Sequence, residues 1–333
     1  MKKFLLLVSI ILFFMIVVPG LYMAHAIISS GAPGPLAQDK IVLIERGNGV
    51  SSIGNILAQH GVIKSAFAFK LATKIDQDQR PLKAGEYLFP SGISLRKALE
   101  MMREGEVYDR KVTFPEGVTS WQVIETLKGL ADMSGDLPEI PPEGTLLPET
   151  YHYINQQDRA GLVGQMKEAM DKVLADAWAS RTEGLPFATP QEALTLASIV
   201  EKETGVPSER KRVAGVFINR LKQGIPLQSD PTVIYAMTKG QIQNAGQGPI
   251  GRRLLTNDLK SDSPYNTYIY AGLPPGPIAN PGRESIDAVL HPEVHDFIYF
   301  VADGTGGHVF SKTLSEHNSN VAKWRKIRKE QRQ

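Results

Sequence analysis

The chain contains no cysteine. Disulfide staples, thiolate metal sites and Cys nucleophiles are excluded together, and such a composition suits an oxidising compartment. A charge bias is also missing: 37 basic residues stand against 35 acidic ones, a formal net charge of +2. No field that would gather polyanions follows from that balance, so nucleic acid is not an implied partner. A G-x-S-x-G elbow is absent, which leaves a serine hydrolase of that kind unsupported. Two histidines do stand four apart in His291-Pro292-Glu293-Val294-His295. The Glu is misplaced for H-E-x-x-H, however, and a proline separates the pair. With no Cys and no third ligand implied, neither a metal nor another cofactor is expected. No βαβ series points to a Rossmann fold or barrel, and the pattern reads as α+β.

What is present begins with 333 residues, 42% hydrophobic and 22% charged, a globular composition with room for two or three modules. The apolar run from Phe4 to Ile28 is broken only by Ser9, Pro19, Gly20 and His25. A helix crossing the bilayer core needs ~20 mostly apolar residues, so residues 1–28 read as a short tip and a transmembrane anchor. Lys2 and Lys3 precede the run and the next basic residue is Lys40. The tip is therefore expected on the cytoplasmic side and the bulk of the chain outside. Ala24-His25-Ala26 carries the rival reading, a cleaved signal peptide, although the run exceeds the roughly 7–15 residues of a signal core. Residues 29–38 (SSGAPGPLAQ) read as a linker.

A weak repeat follows in residues 39–135. Gly49-Val50-Ser51, Gly92-Ile93-Ser94 and Gly117-Val118-Thr119 each follow an extended stretch: KIVLIE, GEYLFP and RKVTFP. The implied unit is a strand, a Gly turn, and a Ser or Thr capping a short amphipathic helix. It resembles the LysM carbohydrate-binding pattern; a generic α+β domain reusing good caps is the alternative. The Pro-rich segment from Asp136 to Glu149 opens a second domain, 136–333. There Leu162, Val163, Met166, Met170, Val173, Leu174 and Trp178 recur at helical spacing over about 160–180. Thr189-Pro190-Gln191-Glu192 gives a capping box that opens a helix to about Glu203, stopped by Gly205 and Pro207. A further helix is expected over about 208–223. DFIYFVAD and GHVFSK flank a glycine loop as a hairpin, and a basic helix closes the chain.

The helix ending at Glu203 is apolar nearly all round, yet Glu201 and Glu203 sit in its last turn. Burial and the negative end of the helix dipole both favour a protonated carboxyl there, the condition for a general acid near neutral pH. Glu201 shares its face with Leu194, Ala197 and Ser198, mostly small residues that can floor a cleft. Glu203 shares its face with the bulkier Leu196, Ile199 and Val200, which read as packing. The bland reading is two surface carboxylates paired with Lys202, Arg210 or Lys211. Of the remaining histidines, His308 in the glycine hairpin and His317 in the following helix are candidates to line a cleft, with satisfied structural residues as the preferred reading.

The stretch LASIVEKET and its surroundings resemble the MltG/YceG-like family, the endolytic murein lytic transglycosylases. The matching blocks include Glu143-Gly144-Thr145-Leu146-Leu147-Pro148, Val216-Phe217-Ile218-Asn219-Arg220-Leu221 and Leu227-Gln228-Ser229-Asp230-Pro231-Thr232. Ser263-Pro264-Tyr265-Asn266-Thr267-Tyr268, Gly272-Leu273-Pro274-Pro275-Gly276-Pro277-Ile278 and Gly307-His308-Val309-Phe310 complete the set. Thr145 departs from the aromatic of the family block. The resemblance implies a LysM-like α+β domain followed by a mixed α+β catalytic domain, in a protein anchored in the bacterial inner (plasma) membrane and facing the periplasm. It implies cleavage of the MurNAc–GlcNAc bond of nascent peptidoglycan strands to leave 1,6-anhydro-MurNAc ends, terminating elongation. It needs one acid, for which Glu201 is the candidate, while Gln228, Asp230, Thr232, Tyr265, Asn266 and Tyr268 are candidates to hold the glycan. A penicillin-binding synthase is the partner it implies. The competing reading is a non-catalytic, membrane-anchored peptidoglycan-binding scaffold, which the apolar run and the repeat suit equally well.

Overall fold

The computed structural model describes residues 13, 15, 17–18, 30–78, 80–242 and 249–330. Most of the Phe4–Ile28 run thus lies outside the described residues. Among those described, no helix is long and apolar enough to cross a membrane. The fold is mixed α+β, as expected, and divides into two compact units: Met1–Arg110 with His152–Asn155, and Lys111–Tyr151 with Gln156–Gln333.

In the first unit β1 (Lys40–Ile44) pairs antiparallel with β2 (Gly85–Phe89), Lys40 opposite Phe89 and Ile44 opposite Gly85. Two helices lie between them in the chain, α1 (Val50–Gln59) and α2 (Ala66–Ile75), and α3 (Leu95–Glu104) follows. Strand alternation sends Val42, Ile44, Tyr87 and Phe89 into a core with Leu57, Phe69, Leu99 and Met102, leaving Ile41 and Leu43 exposed. The repeated Gly-x-Ser unit caps unevenly. Ser94 accepts a hydrogen bond from Lys97 N at the start of α3, whereas α1 starts from Gly49 without a side-chain cap and Ser51 lies inside the helix. The third copy, Gly117-Val118-Thr119, belongs to the second unit.

That second unit holds β3 (Arg110–Thr113) from Lys111 onward, α4 (Ser120–Gly129), β4 (Thr150–Tyr153) as far as Tyr151, and α5 (Arg159–Ala179). Next come α6 (Pro190–Glu203), α7 (Arg210–Lys222), α8 (Asp230–Thr238) and α9 (Arg283–Leu290). A hairpin of β5 (Tyr299–Ala302) and β6 (His308–Ser311) and the final helix α10 (Leu314–Glu330) complete it. Helix α6 is the centre of the core. Its residues Ala193 to Val200 are all buried, packed with Met170, Val213, Phe217, Ile286 and Val289 from α5, α7 and α9. The expected capping box is formed: Thr189 Oγ1 accepts from Glu192 N and the Glu192 carboxylate accepts from Thr189 N. Such a box aligns the first turn and satisfies two otherwise orphaned amides, so the last turn lands where the packing requires. The His291–His295 segment is not helical. His291 bonds Asp287 and Ser180 O, and His295 bonds Arg212 O and Phe297 N, so each ring holds a loop to the helices behind it.

Candidate active site

The last turn of α6 emerges from the core carrying Glu201, Lys202 and Glu203. Residues two apart on a helix point roughly 200° away from each other, so the two carboxylates meet different surroundings.

Glu201 turns toward α7 and the start of α9. Its side chain is only 6% exposed, with Oε1 3.8 Å from Arg210 Nη2. Its Oε2 accepts a hydrogen bond of 2.9 Å from Gly282 N. Arg210 is itself buried and also faces Glu116, at 3.7 Å, and Glu284. Burial and the neighbouring Glu201 charge raise the pKa of Glu116, with Arg210 opposing. The fit is tight at two glycines. Gly117 has φ +74°, and a Cβ there would press on Lys202 Cδ and Glu201 Cγ; a Cβ on Gly282 would lie 1.8 Å from Glu116 Oε1. Lys202 donates to Gly117 O at 3.2 Å. Desolvation lowers the pKa of its ammonium, although the residue as a whole is exposed; Glu201 and Glu143 pull the other way.

Glu203 turns instead into a pocket of about 410 Å³ lined by Phe217, Arg220, Leu227, Gln228, Asp230, Tyr268, Phe300 and His317. The residue is half buried overall, but desolvation dominates its carboxyl and pushes the pKa up to about 7. The Asp230 charge adds to that rise, while a 2.5 Å hydrogen bond from Ser229 Oγ, His308 and Arg220 oppose it. A carboxyl balanced near neutrality can both give and take a proton, as general acid–base chemistry requires. The sequence assigns Glu203 to packing from the bulk of its helical face-mates; here the helix has already left the core, and α8 and the hairpin set its surroundings.

Of the candidate glycan residues, Gln228, Asp230 and Tyr268 come together beside Glu203. Gln228 sits at φ +55°, a left-handed conformation uncommon for a residue with a Cβ. Asp230 accepts a 2.6 Å hydrogen bond from Tyr268 Oη; burial, then this carboxylate, raises the tyrosine pKa. The other three lie elsewhere. Thr232 is fully buried, donating to Ser229 O and bonded to Thr267 Oγ1. Asn266 is fully buried as well, its amide spent on Leu259 O, Ser261 O and Tyr268 N. Both brace the loops that carry the pocket residues. Tyr265 packs on Tyr235 at 4.9 Å, and Tyr235, Lys202, Pro231 and Ile278 line a separate pocket of about 240 Å³.

Arg220 and Glu143 had no separate signal in the sequence, and His308 reads there chiefly as a structural residue. Arg220 lines the pocket and donates to Pro226 O, Leu227 O and Ile298 O. His308 is gripped at its amide and its ring by Glu209, at 3.0 and 2.7 Å. Glu143 is a second buried carboxyl with a pKa of about 7, raised by burial and opposed by Ser120 N and Lys202. All three sit in blocks that match the family, but none of these residue types announces a role without its neighbours.

A helical core presenting a neutral-range carboxyl in a polar pocket defines an α+β protein equipped for acid–base work. The profile of the YceG-like family matches residues 42–323, and the chain belongs to that family. It is 31% identical over 318 residues to a protein of Bacillus subtilis (strain 168) named endolytic murein transglycosylase, with 84% of this chain and 83% of that one covered. A protein of the same name from Streptococcus pneumoniae serotype 2 (strain D39) is 30% identical over 331 residues, covering 84% of this chain and 57% of the longer relative. Among solved structures, a crystal structure of a yceG-like protein from Listeria monocytogenes matches with a TM-score of 0.50 and 32% identity, covering 85% of this chain and 99% of that one.

Proposed function

We propose that the protein is an endolytic peptidoglycan lytic transglycosylase, and that Glu203 is its acid and base. The observation that carries the assignment is a carboxyl held near pKa 7 inside a pocket with Asp230, Tyr268 and Arg220; the relatives named endolytic murein transglycosylase supply the substrate class. Protonated Glu203 gives its proton to the glycosidic oxygen as the C1–O4 bond breaks. The carboxylate then takes the proton of the muramic acid 6-hydroxyl as C1–O6 forms. Water is neither consumed nor needed, so the second carboxylate of an ordinary glycosidase has no place to fill. Glu201, the acid suggested by the sequence, is the alternative within the same reaction.

The reading extends to the rest of the chain. Residues 1–28 anchor it in the bacterial inner membrane by a single span, N-terminus cytoplasmic, with the bulk in the periplasm. Residues 29–38 form a linker, 39–135 a LysM-like region that holds glycan, and 136–333 the catalytic region. The strand–helix–helix–strand order of β1, α1, α2 and β2 supports the LysM-like part. Cutting nascent strands would terminate their elongation, which favours a penicillin-binding synthase as a neighbour.

The test is full-length protein in detergent with purified glycan strands, analysed by mass spectrometry. Internal cuts with 1,6-anhydro ends, one water lighter than hydrolysed ends, are expected. Reducing ends would make it a muramidase, and bound but uncut strands would make it the scaffold.

A further inference from the structure

His317 stands at the start of α10 and lines the Glu203 pocket. Its ring stacks on Tyr299 at 5.0 Å with the planes 23° apart. Among the described residues its Nδ1 is buried without a hydrogen-bond partner, while Nε2 is not one of the buried orphan atoms. That asymmetry selects a tautomer. A buried acceptor left unpaired is tolerated better than a buried N–H left unpaired, so the single proton of the neutral ring belongs on Nε2. Adding a second proton would create a buried orphan N–H at Nδ1. Burial and then Arg220 accordingly hold the His317 pKa below its ordinary value. The open edge of the ring is therefore a neutral N–H donor.

The pocket around that donor is mixed. Asp230 and Glu203 offer oxygens, and Phe217, Leu227 and Phe300 offer apolar surface. A carbonyl oxygen, an N–H and a methyl group on one small substituent would meet all three kinds of wall. We propose that His317 is a substrate-recognition residue whose Nε2–H binds the acetamido carbonyl of an N-acetylhexosamine seated in the Glu203 pocket. The proposal rests on the glycan-cleaving reading above and assigns the sugar substituent that the pocket reads.

The experiment compares full-length wild type with H317Q, H317N and H317F on purified N-acetylated strands and on strands partly de-N-acetylated. A glutamine amide nitrogen overlays Nε2, whereas an asparagine amide nitrogen overlays Nδ1. H317Q should stay within about threefold of wild type, while H317N and H317F should lose about tenfold in kcat/KM, mainly through KM, the size of one hydrogen bond. Removing acetyl groups should slow wild type more than it slows H317F, because the two changes delete one interaction. Equal activity of H317Q and H317N, wild-type activity of H317F, or equal sensitivity of H317F and wild type to de-N-acetylation would each overturn the proposal. Should H317F fold poorly, the glutamine–asparagine contrast decides alone. Strand affinity, measured alongside, separates the two levels: uncut strands still bound less tightly by H317N than by H317Q would sink the enzymatic reading and keep the donor.

Discussion

Glu201 and Glu203 are one turn's two carboxylates, and their partners differ in kind. Glu201 accepts from a backbone amide and faces a buried guanidinium, contacts that hold the end of α6 against α7 and α9. Glu203 has a hydroxyl partner and a pocket. Glu203→Gln preserves shape and removes proton transfer, so activity should fall by ~10²–10⁴ or more with the fold retained. Glu201→Gln should keep most of the activity and lose thermal stability. A dead but folded Glu201 variant beside an active Glu203 variant would return the acid to Glu201. The pH dependence follows from the raised value. The alkaline limb of the rate, a decline as pH rises through about 7, should be missing in whatever residual rate Glu203→Gln shows. Stability moves the same way: a carboxyl shifted from 4.5 to about 7 is buried neutral, so its contribution is complete below the unfolded value and is lost as pH rises toward 7. For a shift of that size the loss is about 3 kcal/mol as an upper bound. Calorimetry should show the wild-type melting temperature falling between pH 4.5 and 7 relative to Glu203→Gln.

Helix α6 is positioned from both ends. At its start the Thr189–Glu192 box fixes the first turn; Thr189→Ala should cost about 1 kcal/mol, visible as a shifted denaturant midpoint with unchanged slope. At its end the α9 N-cap Gly282 closes onto Glu201 and leaves no room for a side chain beside Glu116. Gly282→Ala should therefore destabilise by about 1–3 kcal/mol, the range for overpacking, and should lower activity as the last turn of α6 shifts. Gly282→Ala combined with Glu116→Ala should regain part of that loss, because the clashing carboxyl is gone. No recovery of either stability or activity in the double variant would place the strain elsewhere.

For the whole molecule the sharpest expectation concerns the compartment. The apolar run bounded by Lys2, Lys3 and Lys40 predicts that full-length protein fractionates with the inner membrane and is digested only by protease added from the periplasmic side. A soluble form beginning near Ile27 would support the signal-peptide reading instead. The same experiment on Glu203→Gln should give the same fractionation, since the pocket and the N-terminal apolar run are separate features of the chain.

Local chemistry determined much of this protein from sequence alone. The all-round apolar α6, its Thr189 box, the heptad-like face of α5 and the glycine hairpin each follow from spacing and capping within a dozen residues. The ordered blocks also led to the right family. The tertiary structure decided what depends on distant partners. Helical face-mates suggest Glu201 as the cleft carboxyl, yet surroundings at a helix end come from whatever packs there, and Ser229 and Asp230 bring the pocket to Glu203. Thr232 and Asn266 carry polar groups that look available in sequence and are consumed by loops. The ring of His317 is placed by a stack on Tyr299 from another element. Burial raises or lowers a proton affinity only once the fold has chosen which face of a residue meets water.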